Sequence, residues 1–335
     1  MSLKAPYPYF GGKRRVAELV WARFGNPAVY VEPFFGSGAM LLARPHLPGK
    51  EMINDIDGFL VNFWRAVKSD PMAVAAHADW IISEQDLLAR HHWLVNEGAK
   101  RIEGLSDNPN RYDAQVAGWW LWGMCLWLGN GWCDGEGKYG LDAEAGIKGV
   151  HPQIPHMGPG RGVFRKVPNV PAGTPGFEAE RSAYLREMMQ LLGDRLREVR
   201  VSCGDWKRLM GESISTDLGV TAVFLDPPYL LAGRAAGVYN NDTEDPAREA
   251  IEWCIANGDN PKLRIALCGY EGDYVMPDTW IEIPWKTQGG YGNLGDGAGK
   301  ENAKRERIWF SPHCIDPAAN KPTAVSLFAA LTDPQ

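Results

Sequence analysis

The run Val223-Phe224-Leu225-Asp226-Pro227-Pro228-Tyr229 constrains the fold most. An apolar, strand-like stretch stops at a carboxylate, and two prolines then prevent the ladder from continuing, because they lack N–H groups and fix φ near roughly −65°. A strand of this kind belongs in an open α/β sheet with Asp226 at its carboxyl edge, where such sheets bind their ligands. The Asp226 and Pro227 carbonyls project outward, and an aromatic ring follows at once. An exocyclic amino group offers two hydrogens. The Asp226 carboxylate and a backbone carbonyl can accept one each while Tyr229 stacks on the attached base. The plain alternative is a Pro-Pro turn after a buried strand.

The chemistry that suits this arrangement is methyl transfer to the N6 of adenine. That nitrogen is a weak nucleophile because its lone pair is delocalised into the ring, and two acceptors that draw its hydrogens out of plane help to localise it. Asp226 need not be a strong base. A fixed anion and dipole in a dry pocket stabilise the positive charge that develops on nitrogen during attack.

A second constellation lies far upstream. Residues 28–40, Ala-Val-Tyr-Val-Glu-Pro-Phe-Phe-Gly-Ser-Gly-Ala-Met, read as a buried strand, a glycine turn and the start of an apolar helix. Gly36 and Gly38 allow the backbone to approach a ligand closely, and a helix N-terminus favours a carboxylate or phosphate. An ordinary tight turn would look the same. Next comes Met52-Ile53-Asn54-Asp55-Ile56-Asp57, a short strand ending in acids. An acid at the end of the second strand of a nucleotide-binding unit commonly accepts ribose hydroxyls. Asp55 is the candidate, since Asp57 stands where it can cap the helix that begins near Gly58.

With these residues in view, the chain resembles the Dam-like, alpha-group N6-adenine DNA methyltransferases, whose motifs run in the order cofactor pocket, target-recognition insert, catalytic motif. Tyr9-Phe10-Gly11-Gly12-Lys13 is similar to the family's opening aromatic-x-Gly-Gly-Lys motif, and residues 31–38 are similar to its glycine loop along their whole length. Asn54-Asp55-Ile56 resembles the ribose-binding segment, and Arg305 to Ser311 the late strand. Cys203-Gly204-Asp205-Trp206 falls where the family places an acid before an aromatic. The resemblance implies a Rossmann-like α/β fold using S-adenosylmethionine. It puts Tyr9, Phe10, Gly11, Gly12, Lys13, Glu32, Pro33, Phe34, Gly36, Ser37, Gly38 and Asp55 against that cofactor. Asp205 is implied near the cofactor adenine, with an N-cap of the following helix as its other reading. Asp226, Pro227, Pro228 and Tyr229 are the implied catalytic residues, and adenine in double-stranded DNA the substrate.

Composition fits an ordinary α/β protein: 335 residues, 45% hydrophobic and 23% charged. No charged segment followed by an apolar one opens the chain, so a cytoplasmic location is expected, in a bacterial or phage-infected cell. The longest apolar stretch, residues 117–128, is too short to span a bilayer. Its four tryptophans are expected to pack in a core. Among the aromatic residues near there, Trp132, flanked by Gly131, is the better candidate for reaching a ligand. The six cysteines show no metal or disulfide spacing, and no metal is expected. A net charge of −6 is the main observation against a DNA partner, although screening beyond about 8 Å lets a local basic face coexist with an acidic total. Candidate basic patches stand at Arg161 to Lys166 and at Lys300, Lys304, Arg305 and Arg307, with plain solvated surface as the other reading of each.

Read for organisation, residues 1–69 and 177–335 are expected to form the catalytic domain with 70–176 as an inserted helical and loop segment, where the resemblance implies that target choice resides. Apolar spacing predicts helices over 14–24, 58–68, 73–92, 114–128 and 179–197. Strands are expected at 198–202, 222–225, 263–268, 280–283 and 307–310, giving a mostly parallel sheet with helices on both faces. Residues 134–176 hold too many breakers for a packed element. Three other readings stay open: an RNA base methyltransferase, a nicotinamide-dependent oxidoreductase, and an inactive DNA-binding protein on a methylase fold. The second has Leu41 where a full Gly-x-Gly-x-x-Gly needs its third glycine. Restriction protection, repair marking and phage evasion use the same chemistry, and the sequence does not separate them.

Overall fold

The computed structural model describes residues 3–7, 13–81, 83–105, 107–108, 110–127, 132–133, 141–142, 146–147, 177–211, 216–229, 245–285 and 305–317. At its centre is a seven-stranded sheet. In chain order its strands are β1 (Val29–Glu32), β2 (Lys50–Asp55), β5 (Arg200–Cys203), β6 (Thr221–Leu225), β7 (Leu263–Tyr270), β8 (Ile281–Pro284) and β9 (Glu306–Phe310). A separate antiparallel pair, β3 (Leu141–Asp142) and β4 (Gly146–Ile147), lies in the stretch expected to hold no packed element. The spatial order is β5-β2-β1-β6-β7-β9-β8. The pairs from β5 to β7 are parallel, and β9 runs antiparallel to both β7 and β8. This is the Rossmann-like α/β sheet expected from the sequence.

Alternate residues explain why the strands read as continuous apolar runs. Tyr30, Ala222, Phe224, Ala266, Cys268, Ile308 and Phe310 enter one apolar cluster. Their neighbours Val29, Val31, Val223, Leu225, Ile265, Leu267 and Trp309 enter another on the opposite face. A sheet covered on both faces has no polar side, so the period-2 signal of a half-exposed strand is lost.

The first face is thick. It is covered by α1 (Ala17–Phe24), α3 (Gly58–Ser69), α4 (Pro71–Ala78), α7 (Ala114–Leu126) and α8 (Phe177–Leu196). The second face is covered by Trp206 and Leu209 and by α9 (Asp245–Asn257), through Ala250 and Cys254. The sequence reading had not singled out α9, although Pro246 near its start and buried Ala247, Ala250 and Cys254 mark one apolar stripe.

Boundaries elsewhere follow from capping. Asp57 accepts the N–H groups of Phe59 and Leu60 at the start of α3. Asp70 accepts that of Ala73 at the start of α4, with Pro71 in the first turn. The single helix expected over 73–92 is two, α4 and α5 (Glu84–Trp93). The chain leaves the helix at Asp79, and Ser83 restarts it by accepting the Asp86 N–H. Short polar side chains compete for backbone hydrogen bonds in this way. At the other end of the range, residues 13–15 form a 3-10 turn ahead of α1.

The helices drawn from the expected insert do not have a core of their own. Val74, Trp120 and Leu121 share one cluster with Phe63 and Trp64 of α3 and Met189 of α8. Gly118 lets α7 lie tight on α4, since a Cβ there would sit 2.4 Å from the His77 Cβ. Asn62 of α3 clasps the start of α7, donating to the Asp113 carbonyl (2.9 Å) and accepting its N–H (2.8 Å). Among the described residues no helix is long and apolar enough to cross a membrane.

Candidate active site

The strand ends at β1, β2, β5 and β6 gather at one edge of the sheet, and two groups of residues meet there. The first is the turn after β1. Gly36 and Gly38 have φ of +49° and +67°, a region that disfavours any residue with a Cβ. At Gly38 a Cβ would also lie 2.6 Å from the Phe35 ring. The turn is tied down from several sides. Asp55 accepts the Gly36 N–H through Oδ2 (2.9 Å) and the Asp57 N–H through Oδ1 (3.1 Å). Asn54 donates to the carbonyls of Pro33 (3.1 Å) and Gly204 (2.8 Å), joining the ends of β1, β2 and β5. Tyr7 Oη and Trp64 Nε1 both donate to the Gly36 carbonyl.

Burial raises the Asp55 carboxyl above the ordinary range, while the backbone N–H groups around it pull the other way. These N–H groups belong to Phe35, Gly36, Ile56 and Asp57, so the carboxylate ties the turn after β1 to the turn after β2. Glu32 is buried and accepts the Tyr30 hydroxyl (2.8 Å). Burial pushes its carboxyl well above the usual range, so it frames the turn from inside. Ser37 is buried, whereas Phe34 is partly exposed and packs on Trp206 with ring centres 5.6 Å apart. The helix after the turn, α2 (Ala39–Leu42), has only four residues, so the turn itself, rather than a long helix dipole, defines this place.

Asp205 follows β5 on a segment pinned to β2, where the Gly204 N–H donates to the Asp55 carbonyl. It is exposed and caps the short helix at Trp206–Leu209 by accepting the Lys207 N–H (2.8 Å). The cap is therefore present whatever else this side chain does. Tyr9, Phe10, Gly11 and Gly12 lie outside the described residues. Their flanks do not: Tyr7 is on the glycine turn, and Lys13 is on the second group.

That second group is built on the end of β6. The Lys13 ammonium stands 2.9 Å from Asp226 Oδ2, with the lysine 5% and the aspartate 22% exposed. It lies over the faces of two rings, 5.3 Å from the centre of Tyr229 and 5.4 Å from that of Trp285. Tyr229 is buried, donates its hydroxyl to Glu306 Oε2 (2.9 Å) and meets Tyr270 edge-on at 4.6 Å. Burial raises the Glu306 carboxyl, opposed by Lys13 and reinforced by Asp226. It likewise pushes the Tyr270 hydroxyl up to about 12. Pro227 is buried and Pro228 half-buried between these two partners.

Three residues here were not candidates in the sequence. Trp285 closes β8, and its backbone N–H donates to the Glu306 carbonyl. Its indole N–H is buried without a hydrogen-bond partner. Glu306 and Tyr270 face each other across the β7–β9 ladder. Of the basic patches, Arg307 is held by Glu271 (2.7 Å) and Glu282 (3.0 Å), and Arg305 lies over the Tyr270 ring. Arg161 to Lys166, Lys300 and Lys304 lie outside the described residues. The tryptophans of α7 pack in the core as expected. Trp132 joins them, buried and donating to the Trp120 carbonyl.

The two groups together place a backbone-lined turn beside an anionic slot with aromatic walls. Such an edge can hold a nucleoside-like group next to a planar amine. No curated protein matches the chain. Residues 9–96, which contain the glycine turn, Asp55 and Lys13, match the family model described as D12 class N6 adenine-specific DNA methyltransferase. This match, over about a quarter of the chain, and the sheet that carries it are consistent with the Dam-like N6-adenine DNA methyltransferases that the sequence resembles.

Proposed function

We propose that the protein draws an adenine out of double-stranded DNA, stacks it on Tyr229, and holds N6 between the Asp226 carboxylate and the Pro227 carbonyl. One observation carries this reading: an N–H donor, the Lys13 ammonium, already sits 2.9 Å from Asp226 against the Tyr229 and Trp285 rings. A carboxylate that accepts a cationic amine between two aromatic faces suits an aromatic amine that becomes cationic as it reacts. N6 is paired inside the duplex, so the base must leave the stack at a cost of a few kcal/mol. Stacking on an aromatic ring returns about 1–3 kcal/mol. Asp226 then acts chiefly by stabilising the charge that grows on N6, in a site that excludes water.

S-adenosylmethionine would supply an activated methyl group to that nitrogen. The residues that would hold it are those of the turn, Glu32, Pro33, Phe34, Gly36, Ser37 and Gly38, with Asp55 beside them. Tyr9, Phe10, Gly11, Gly12 and Lys13 would close the near side, and Asp205 would lie toward the far end. What supports this placement is the left-handed glycine turn at the strand ends with the Asp55 carboxylate beside it. Within the chain, residues 1–69 and 177–335 would form the catalytic part, and 70–176 would choose the target sequence. Its work would be in the cytoplasm of a bacterial or phage-infected cell.

The test is to supply labelled S-adenosylmethionine and unmethylated duplex DNA, digest the DNA to nucleosides and identify the labelled one. Label in N6-methyladenine is expected. Label in cytosine, or transfer to RNA alone, would overturn the substrate assignment.

A further inference from the structure

The Tyr229 hydroxyl is committed before any base arrives. It donates to Glu306 Oε2 at 2.9 Å inside the protein, and Glu306 is only 5% exposed. A buried carboxylate is costly unless other groups balance it, so one placed behind an aromatic platform calls for a physical reason. Glu306 begins β9, the strand inserted antiparallel between β7 and β8. Two ladders therefore fix its backbone, with Glu306 paired to Tyr270 on one side and Arg307 paired to Pro284 on the other. The Trp285 N–H also donates to the Glu306 carbonyl. One residue thus bonds to both residues whose rings flank the Lys13 ammonium, through its side chain to the Tyr229 hydroxyl and through its carbonyl to the Trp285 main-chain N–H.

Tyr229, by contrast, follows two prolines on a segment with no ladder of its own. Its ring orientation rests on its neighbours. Tyr270 meets it edge-on, with planes 80° apart. That contact supports the ring without fixing its distance from Asp226. The hydrogen bond to Glu306 adds a directional restraint at the far end of the ring. Lys13 lies close enough to act electrostatically on both carboxylates, which helps the pocket to keep two acids together.

We propose that Glu306 is a positioning residue: its carboxylate anchors the Tyr229 hydroxyl and so holds the ring at the distance and angle at which the target base must stack beside Asp226. This rests on the proposed roles of Tyr229 and Asp226. Glu306 touches neither the base nor the cofactor. Its effect is on the fraction of bound bases that lie in line for attack, and misplacement of that kind lowers turnover far more than it lowers affinity.

The experiment compares Glu306→Ala, Glu306→Gln, Tyr229→Phe and the double variant Glu306→Ala/Tyr229→Phe, with Asp226→Ala as reference, on unmethylated duplex DNA of mixed sequence. S-adenosylmethionine binding and thermal melting check that each variant is folded. Glu306→Ala should lower kcat about tenfold or more, the scale of a lost hydrogen bond to a charged group, with KM for DNA changed less than about threefold. Glu306→Gln keeps an acceptor for the tyrosine hydroxyl and should recover most of the rate. The double variant should be no slower than the slower single one, because both remove the same bond. Wild-type kcat in Glu306→Ala, additive losses in the double variant, or a Gln variant as slow as the Ala variant would each overturn the proposal. If Asp226→Ala stays active, the reading of the whole site fails. If Asp226→Ala is inactive while Glu306→Ala is normal, the positioning role alone fails.

Discussion

Around the glycine turn the partners are mostly backbone, whereas at the end of β6 they are side chains. Asn54, Asp55, Tyr7 and Trp64 all bond to main-chain groups of the turn or its neighbours. Asp226, Lys13, Tyr229 and Glu306 bond instead to one another through charges and a hydroxyl. The difference teaches how one sheet edge can serve two tasks. Backbone bonded on several sides has little freedom left, which suits a ligand that only has to be held. A chain of side chains can exchange partners. On the proposed reading an incoming amine would take the place of Lys13 at Asp226.

That contrast can be broken by substitution. Asp226 apart, the largest effect is expected at Gly38, where an Ala would combine a left-handed φ with a Cβ 2.6 Å from Phe35. The left-handed conformation costs roughly 1–2 kcal/mol and overpacking about 1–3 kcal/mol. Gly38→Ala should therefore weaken S-adenosylmethionine binding by about a hundredfold in titration calorimetry. Undiminished affinity would show that the turn is not the rigid half. Tyr229→Ala comes next, with a loss of about 1–3 kcal/mol of base stacking. It should reduce both DNA binding and turnover, roughly tenfold, while cofactor affinity stays within about twofold. An unchanged methylation rate would remove the stacking role.

The smallest expected effect lies away from both halves. His91 packs flat on Trp127, 5.0 Å away, among the helices of the thick face. Burial, with His92 adding to it, holds its imidazole down at about 4 from an ordinary 6.5. The folded state thus favours the neutral ring. Its contribution is complete above about pH 6.5 and is lost as pH falls through about 4. Melting temperature should drop by a few degrees over that window, and His91→Gln should flatten the slope. An equal slope in the variant would assign the acid sensitivity to other groups.

Much of this was legible in the sequence because strand ends announce themselves. Val223 to Leu225 and Val29 to Val31 are apolar on both faces, and each stops at residues that cannot extend a ladder. The glycine turn and Asp55 follow by spacing. Glu306 was hidden for the opposite reason. Between Arg305 and Arg307 it reads as one more charge on a solvated strand, and only the insertion of β9 between β7 and β8 buries it. Trp285 was silent too, since its place beside Lys13 depends on that same strand. The break in the helix expected over 73–92 was missed because Asp79 and Ser83 fall at polar positions of a helical pattern, where a cap and an exposed face look alike.

The central claim is that cofactor and amine are held by separable halves of one edge. The most direct measurement pairs titration of S-adenosylmethionine with methylation of duplex DNA in Asp226→Ala. The account predicts cofactor affinity within about threefold of the wild type and turnover reduced by about a hundredfold or more. Sustained methylation, or loss of cofactor binding along with it, would contradict it.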